Sequence, residues 1–511
     1  MARNTQPMVE WFKRFEYINE FSEIDISRLP LRDIVAQSWE TLHELNLPDP
    51  RLFTMGGIIV EVAQDSNGNP IILPVKEATL KLLVDHSANF VTFDQINGYK
   101  TARPPGDAVK AMLHSSDPWL PHLGGVASTP IFAVDGGLRT DKGYDYDTRF
   151  FLQSDVITIP PVSHNPSNEE LTTARNLLIE NLLGDFPFDT QADLANAIAF
   201  LLLPFIRKMI LGPTPLHVVS APVAGTGKTL LAQLLALPSI GQSKTVMTEG
   251  RDDDEWRKRL TATLKRVPRV ILIYNLSRPL DSAAFSAALT TNVWEDRILG
   301  ASKIITVPIQ AAWIATGNNP SWSQELARRI VPIRLNSQVE NPWDRKEFRH
   351  SDITVWAEAH RSELVWAALT ICMASAAMGW PDGSKSLGSY ERYSRLMSGI
   401  LEVAGIDGFL ENRDESHTVV EDDTAIWIRF TTQWWNKHEG RPVRAKQLLA
   451  LAERLSLLPS ITSGRDHHGS ITALGRALSS NRDRIFGRYS IHLVRQDGHS
   501  KSNMFELREV M

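Results

Sequence analysis

The sequence has 511 residues, of which 43% are hydrophobic and 22% are charged, a composition typical of a globular protein of about three domains. Its single cysteine, Cys372, excludes an internal disulfide framework and predicts a cytoplasmic protein in a reducing compartment. The net charge of −5 does not predict a nucleic-acid binder, so only the local distribution of charge can indicate one.

Residues 1–157 predict an α+β domain without a recognisable catalytic constellation. Residues 1–50 have the pattern of amphipathic helices, and their polar start predicts no secretory signal. Apolar runs at 52–62 and 70–74 flank the turn sequence Asp65-Ser-Asn-Gly68, which is typical of a β-hairpin.

A linker rich in proline and polar residues ends at Ser167, and Ser167 or Asn168 is expected to cap the helix that follows. Two helices are expected, over about 168–184 and 190–210. Arg207 interrupts the apolar end of the second, so we expect a buried helix and no membrane span.

A glycine-rich loop then joins the β-branched run at 216–220 to the helical run at 229–236. A strand, a glycine loop and a helix form the context of a phosphate-binding P-loop. Glycines let backbone N–H groups turn towards an anion, and the helix N-terminus adds partial positive charge. Lys228 is expected to reach the β- and γ-phosphates of ATP, and the Thr229 hydroxyl to hold Mg²⁺. Pro222 stands where the pattern has its first glycine. The expected nucleotide-binding residues of the loop are Ala224, Gly225, Thr226, Gly227, Lys228, Thr229 and Leu230.

Three short apolar runs predict buried parallel strands. They lie at 269–275, 311–319 and 330–335. With helices between them, they predict a doubly wound α/β P-loop NTPase core over 168–340. A helical lid is expected to follow over 341–412.

Residues 425–511 predict three helices and a hairpin, which is the order of a winged helix-turn-helix. An acidic, flexible linker is expected before them, within 411–423. Residues 470–485 would form the recognition helix, and the loop near Lys501 the wing. Contacts to backbone phosphates are the expected use, and a winged helix that contacts protein is the alternative. The expected DNA-binding residues of this module are Arg476, Arg482, Arg484, Arg488 and Lys501.

These stretches resemble the helicase half of phage- and plasmid-type primase–helicase replication proteins. The resemblance is most specific in the ATPase core, at 221–229, 255–260, 275–281, 294–300, 313–319 and 327–329. Residues 400–412 also look similar, and the resemblance covers roughly 50–511. It implies an AAA+ or superfamily III-type helicase that binds ATP and Mg²⁺, forms a ring, with a hexamer expected, and acts in DNA replication of a mobile genetic element. The first 50 residues cannot hold a primase–polymerase domain, so a primase or another replication protein is a candidate partner, and no membrane is expected.

The resemblance also implies catalytic roles for polar residues beyond the P-loop. Asn318 resembles sensor 1, which positions the attacking water, with Asn319 as the alternate. Either Arg328 or Arg329 resembles an arginine finger supplied to a neighbouring subunit. Arg395 in the lid is a weaker candidate for the second sensor.

The Walker B position departs from that family. Tyr274 occupies the place of the acid that normally holds Mg²⁺ or its water. Asn275, which follows it, is a candidate catalytic residue but cannot act as a general base. A phenol with a pKa near ~10 is neutral and cannot replace a carboxylate. Acids at 252–255 or Asp281 are the candidates to compensate. We therefore expect nucleotide binding, with weak or absent hydrolysis.

Between Walker B and sensor 1, two apolar arms around 300–303 predict a β-hairpin. In the ring helicases that this chain resembles, such a hairpin enters the pore, so Lys303 would contact single-stranded DNA. An ordinary hairpin with a solvated lysine is the alternative.

Three functions remain open on the sequence. The first is an ATP-dependent replicative or initiator DNA helicase that translocates on single-stranded DNA. The second is an ATP- and DNA-binding assembly factor that uses nucleotide to oligomerise, which Tyr274 favours. A small-molecule kinase is disfavoured, because it needs neither a paired arginine after sensor 1 nor a winged helix.

Overall fold

The computed structural model describes residues 22–65, 68–115, 118–153, 157–223, 225–242, 245–297, 304–337, 348–413, 418–455, 457–458, 461, 466–496 and 503–510. Three residues with predicted roles, Ala224, Lys303 and Lys501, lie outside them. The chain divides into two compact units, Met1–Pro320 with Arg328–Asn412 and Ser321–Ala327 with Arg413–Met511. Among the described helices, none combines the length and apolar character needed to cross a lipid bilayer.

The first part of the first unit mixes helices with small sheets. Its helices are α1 (Leu31–Asn46), α2 (Glu77–Ser87) and α3 (Gly106–Leu113). Its strands are β1 (Glu23–Asp25), β2 (Leu52–Met55), β3 (Ile58–Gln64), β4 (Pro70–Pro74), β5 (Asn89–Asp94), β6 (Gly98–Thr101), β7 (Gly125–Ala127), β8 (Ile131–Phe132), β9 (Leu138–Arg139), β10 (Gly143–Asp145) and β11 (Phe150–Leu152). They form the sheets β1-β5-β6, β2-β3-β4, β10-β11-β7 and β8-β9. The predicted hairpin is the antiparallel pair β3 and β4, in which Gln64 lies opposite Pro70.

The second part of this unit is built on a parallel sheet. The helices before and between its strands are α4 (Asn168–Asn176), α5 (Gln191–Ile206), α6 (Lys228–Ile240), α7 (Asp253–Leu264) and α8 (Ala283–Ala288). The strands are β12 (Leu216–Ala221), β13 (Thr245–Thr248), β14 (Val270–Leu276), β15 (Val293–Arg297), β16 (Ile304–Pro308), β17 (Ala312–Asn318) and β18 (Ile330–Arg334). Five of them form the sheet in the order β13-β14-β17-β12-β18, and all four neighbouring pairs are parallel. Numbered along the chain, the order is 2-3-4-1-5, so β12 lies inside the sheet.

This sheet confirms the predicted α/β core and its three apolar strands. The centres of β12 and β14 are buried, as expected for parallel strands covered on both faces; Val219 and Ile273 are fully buried. The fifth strand, β13, was not predicted. The apolar segment before β12 is the buried helix α5, as expected. Ser167 caps α4 in a capping box, since its hydroxyl accepts a hydrogen bond from the Glu170 backbone N–H at 3.2 Å.

Buried guanidinium groups hold this part of the unit together, and the sequence did not indicate them. Arg269, just before β14, donates to the carbonyl oxygens of Ser239 at 2.8 Å and Pro204 at 2.9 Å. Arg361 donates to the carbonyl oxygen of Leu237 at 3.2 Å. Burial lowers the pKa of Arg269 to about 9 and that of Arg361 to about 10. These cations stabilise the C-terminal end of α6, where helix carbonyls lack intrahelical donors.

Three further helices of the first unit follow. They are α10 (Ile353–Ala359), α11 (Arg361–Ala377) and α12 (Glu391–Val403), with α9 (Gln324–Ala327) assigned to the second unit. Buried residues of α11 and α12 join the same apolar core as α5 and α6. The structure is therefore helical in this region, as predicted, and a lid function for it stays a prediction.

The second unit contains helices α13 (Thr418–His438), α14 (Ala445–Arg454) and α15 (His467–Ser480) and strands β19 (Val443–Arg444), β20 (Ile485–Phe486), β21 (Tyr489–Gln496) and β22 (Asn503–Glu509). The strands form an antiparallel sheet in the order β19-β22-β21-β20. Two predictions need correction. The expected linker at 411–423 is helical from Thr418 onwards. The expected recognition helix begins at His467 and ends at Ser480, because Asp466 caps its start by accepting a hydrogen bond from Gly469 N–H.

Candidate functional site

The glycine loop lies where the sequence predicts it, between the end of β12 at Ala221 and the start of α6 at Lys228. Gly225 and Gly227 have φ values of 79° and 91°, in the left-handed region that favours glycine. The loop therefore turns sharply into the N-terminus of a 13-residue helix. Free N–H groups and the helix dipole make such an end an anion site.

Lys228 is already placed within this loop. Its Nζ donates a hydrogen bond to the carbonyl oxygen of Val223 at 3.1 Å, and Thr226 Oγ1 donates to the same oxygen at 2.8 Å. Lys228 is 9% exposed, and burial lowers its pKa. The Lys228 contact found among the described residues is to a neutral carbonyl, and a buried cation gains from an anion beside it.

The residues of the loop suit the phosphates of a nucleoside triphosphate. For the metal ion that accompanies these phosphates, the loop offers few ligands. The loop offers backbone donors and Lys228 to phosphates, and half-buried Thr229 follows in the first turn of α6. A single hydroxyl is a sparse ligand set for Mg²⁺, which prefers carboxylate oxygens together with phosphates and water. Among the described residues, no group of three or more His, Cys, Asp or Glu side chains could hold a metal ion.

The end of β14 carries no carboxylate. Tyr274 is 46% exposed. Asn275 has a φ of 52°, and its backbone N–H donates to Thr316 Oγ1 at 3.0 Å. The register between β14 and β17 shifts at this point: Ile273 lies opposite Ala315, but Leu276 lies opposite Gly317. This bulge provides a conformational reason for Asn275, since asparagine tolerates the left-handed region better than most residues.

The acids proposed to compensate for Tyr274 are largely occupied in local structure. Asp252 caps α7 by accepting from the Glu255 backbone N–H at 2.8 Å. Asp253 accepts from Ser282 Oγ at 2.6 Å. Glu255 forms an ion pair with Arg259 at 2.8 Å. Asp281 is exposed, and its role stays a prediction.

One acid at the same edge of the sheet was missed in the sequence. Glu249 follows β13, and its carboxylate accepts hydrogen bonds from the backbone N–H groups of Ser277 at 3.0 Å and Arg278 at 3.2 Å. Burial alone would raise the pKa of Glu249, but the hydrogen bonds from Ser277 and Arg278 lower it overall. Glu249 is therefore ionised and fastens the loop after β14. A strand of four residues offered no sequence signal for it.

Asn318 lies beside the glycine loop. It is the last residue of β17, it is exposed, and it pairs in register with Ala221 at the end of β12. Asn319 follows with a φ of 39°, and its backbone N–H donates to the Ala221 carbonyl oxygen at 3.3 Å. Asn318 and Asn319 are both exposed at this edge of the sheet, and the contact of Asn319 involves its backbone. The sensor role itself stays a prediction.

The two adjacent arginines after Asn318 differ sharply in environment. Arg328 is exposed. Arg329 is 6% exposed, and its guanidinium donates to Ser286 Oγ and to the Ser286 carbonyl oxygen. Of the two, Arg328 is the exposed one. Whether either arginine acts as a finger stays a prediction.

Arg395 lies on α12 and is exposed. No hydrogen bond or ion pair links its side chain to another residue in the part of the chain that the structure describes. The structure does not bring it into contact with the glycine loop, and its sensor role stays a prediction.

The predicted hairpin between Walker B and sensor 1 is the antiparallel pair β15 and β16, with Arg297 opposite Ile304. Trp294, Ile305 and Val307 are buried, at 7%, 1% and 0% exposure, and they anchor the arms. Lys303 and the turn lie outside the described residues.

The arginines of the second unit are not equally available for phosphate. Arg488 forms an ion pair with Glu509 at 2.6 Å and Arg482 with Asp483 at 3.0 Å. Arg484 lies over the Phe486 ring at 4.8 Å. Arg476 is exposed on α15, and it is the strongest of the four candidates for a DNA contact.

No protein-family model and no curated protein matches this sequence. Among solved structures, the chain is similar to the C-terminal region of NrS-1, with 11% identity, a TM-score of 0.37 and coverage of 89% of this chain and 96% of that one. It is also similar to the active helicase Cch of SCCmec type IV, with 12% identity, a TM-score of 0.37 and coverage of 91% and 93%. JCV helicase matches with 13% identity, a TM-score of 0.20 and coverage of 48% and 73%.

Proposed function

We propose that this chain is an ATP-dependent, ring-forming DNA helicase of replicative or initiator type, from a phage, plasmid or other mobile element. The observation that carries the proposal is the parallel sheet in 2-3-4-1-5 order, in which the glycine loop follows β12 and Asn318 is in register with Ala221, the last residue of β12. This arrangement puts a phosphate-binding loop and a polar side chain side by side at the carboxyl edge of the sheet, where ligands of open α/β sheets bind.

The residues would act together as follows. The loop N–H groups and Lys228 hold the β- and γ-phosphates, and Thr229 offers its hydroxyl to the metal. Bound ATP supplies the phosphoryl group, and Mg²⁺ neutralises its charge. Asn318 orients the attacking water. Arg328 reaches the phosphates of a neighbouring subunit, which requires a ring.

DNA would be held by two further elements. The hairpin β15 and β16, as far as Arg297 and Ile304, supports a pore contact at its tip. The helices and sheet of the second unit support a winged helix that contacts backbone phosphates, with exposed Arg476 as its first candidate. Both elements would contact backbone phosphates, so neither contact would depend on the base sequence of the DNA.

A second function is favoured by one observation. Tyr274 is exposed at the Walker B position, and β14 carries no carboxylate up to its last residue, Leu276. An ATP- and DNA-binding assembly factor, which binds nucleotide to oligomerise and turns it over slowly or not at all, needs no such carboxylate.

Unwinding of a fluorescent forked DNA duplex in the presence of ATP and Mg²⁺ distinguishes the two. The helicase proposal expects strand displacement by the wild-type chain, none by Lys228→Ala, and unchanged activity in the matched surface variant Lys76→Ala. Nucleotide binding without displacement would leave the assembly factor as the function. Sedimentation velocity with and without ATP and DNA tests both, because a monomer under all conditions contradicts any ring.

A further inference from the structure

A cleft of about 1280 Å³ lies inside the first unit, away from the glycine loop. One wall is a face of α7 and the residues just after it. Another wall comes from strands β3 and β4. Arg297 at the end of β15 also lines the cleft, together with residues at 126–128, 239–240, 245 and 267–270.

The first wall is strongly basic. Its cations, called here the basic wall, are Arg257, Lys258, Lys265, Arg266 and Arg297. Arg257 and Lys258 lie on α7, whereas Lys265 and Arg266 follow its last residue, Leu264. Between these two pairs α7 contributes Thr261 and Ala262 to the lining, and their side chains are small.

These charges are poorly compensated. Asp296 is the one acid among the described residues of the lining. It pairs with Arg257 at 3.8 Å and accepts a hydrogen bond from Thr261 Oγ1 at 2.6 Å. Lys258 lies near enough to Asp252, at the rim, to lower its pKa. Lys265, Arg266 and Arg297 form no ion pair among the described residues, so the wall has a clear excess of positive charge.

The wall from β3 and β4 is aliphatic. Ile58, Ile71, Ile72, Leu73 and Pro74 contribute to it, and Leu73 is 39% exposed. Strand β4 is an edge of its sheet. Pro70 and Pro74 lie at its two ends, and proline has no N–H to offer a pairing strand. The wall therefore suits an apolar surface and is unsuited to an added peptide strand.

We propose that this cleft binds the backbone of single-stranded nucleic acid. The basic wall holds phosphates, while the aliphatic wall contacts sugars and base faces. A polyanion with regularly spaced charges and apolar faces between them matches both walls, whereas an acidic peptide would have to bind without pairing to β4. The proposal rests on the proposed function in taking DNA as the physiological polyanion, and it adds a binding surface outside the pore and the second unit.

The test uses the full chain without nucleotide and a fluorescent 20-nucleotide oligothymidine as the probe. Binding is measured by anisotropy over a range of salt concentrations. For single strands, the slope of log K against log salt is about −0.7 for each phosphate contact. The Lys265→Ala/Arg266→Ala variant should therefore weaken binding and reduce the slope by about 1.4. The matched variant Lys76→Ala/Arg103→Ala removes two exposed cations outside the lining. It should leave the affinity for oligothymidine and the salt slope unchanged.

A labelling experiment locates the strand independently. The chain's own Cys372 is buried, so Leu73→Cys offers one accessible thiol in the cleft. Oligothymidine should protect this thiol from maleimide. Protection by polyglutamate and not by oligothymidine would overturn the proposal in favour of an acidic protein partner.

The outcomes separate this inference from the proposed function. Suppose that the wild-type chain binds oligothymidine and that the Lys265→Ala/Arg266→Ala variant, shown to be folded by circular dichroism, has the same salt slope. This result contradicts the proposed cleft site and leaves the proposed function untouched. Absence of oligothymidine binding by the wild-type chain contradicts both. A reduced slope in a chain that unwinds no duplex contradicts the helicase and keeps the cleft.

Discussion

His217 Nε2 and the hydroxyl oxygen of Tyr393 lie 2.9 Å apart, and both residues are fully buried. His217 belongs to β12, the strand that leads into the glycine loop, and Tyr393 belongs to α12, the helix that also carries Arg395. The ring of Phe200 packs edge-on against His217 at 5.1 Å. A polar pair inside an apolar core thus joins β12, the strand before the glycine loop, to α12 of the predicted lid.

The buried imidazole predicts acid sensitivity of the fold. Burial lowers the pKa of His217 to about 3, against about 6.5 in an unfolded chain. Because the folded pKa is depressed, the unfolded state binds more protons between these values, and stability falls as pH falls through about 6.5. The expected loss is about 2 kcal/mol between about pH 7 and about pH 5.

Urea unfolding followed by tryptophan fluorescence at the two pH values measures this loss. His217→Gln should remove the part of the pH dependence of stability that His217 causes. Tyr393→Phe keeps the buried imidazole and should therefore retain this pH dependence. An equal pH dependence in wild type and His217→Gln would show that other groups cause the acid sensitivity.

The exposed phenol at the end of β14 predicts a gain of function by substitution. Tyr274→Asp places a carboxylate beside the loop, where it can hold the metal of bound nucleotide. We expect ATP turnover to rise by about 10²-fold, the scale on which single electrostatic groups act in catalysis. Phosphate release is the measurement, and Tyr274→Phe, which adds no charge, is the control.

Two results would contradict this expectation. Substantial turnover in the wild-type chain would mean that another group replaces the acid. If the Tyr274→Asp variant binds ATP but releases phosphate no faster than wild type, the bulge at Asn275 directs position 274 away from the metal.

The sequence predicted the strands of the sheet where local pattern is strong. β14, β17 and β18 are continuous apolar runs, buried on both faces. β13 was missed because four residues with Val246 at 52% exposure do not form such a run.

The sequence could not predict contacts between distant segments. Nothing local distinguishes Arg328 from Arg329, because the burial of Arg329 depends on Ser286 of helix α8. The partner of Arg488 is Glu509, which lies on strand β22. The cleft likewise combines α7, β3, β4 and β15, which only the fold brings together.

The contrast between Arg328 and Arg329 predicts opposite phenotypes. Arg328→Ala should leave the free energy of unfolding within about 0.5 kcal/mol of wild type. It should also reduce ATP turnover by about 10³-fold or more if Arg328 acts as the finger. Arg329→Ala removes a buried donor and should destabilise the chain by about 1–3 kcal/mol. Turnover is best measured in the Tyr274→Asp background, where the signal is larger.

Mixing subunits tests whether Arg328 acts in trans. Arg328→Ala combined with Lys228→Ala subunits should recover part of the turnover, because some interfaces then pair an intact loop with an intact arginine. No recovery, or a loss of stability in Arg328→Ala, would contradict the finger assignment.

The left-handed backbone of Asn275 predicts a stability effect separable from catalysis. With φ at 52°, Asn275→Ala should lower the free energy of unfolding by about 1 kcal/mol, whereas Asn275→Gly should change it little. Both variants keep the backbone N–H that donates to Thr316 Oγ1. If the amide side chain is also catalytic, as the sequence suggests, both lose ATP turnover equally in the Tyr274→Asp background. If its role is conformational, turnover follows stability, and Asn275→Gly stays active where Asn275→Ala declines. Urea unfolding and phosphate release on the same preparations decide between these roles, and equal stability of the two variants would contradict the conformational account of the bulge.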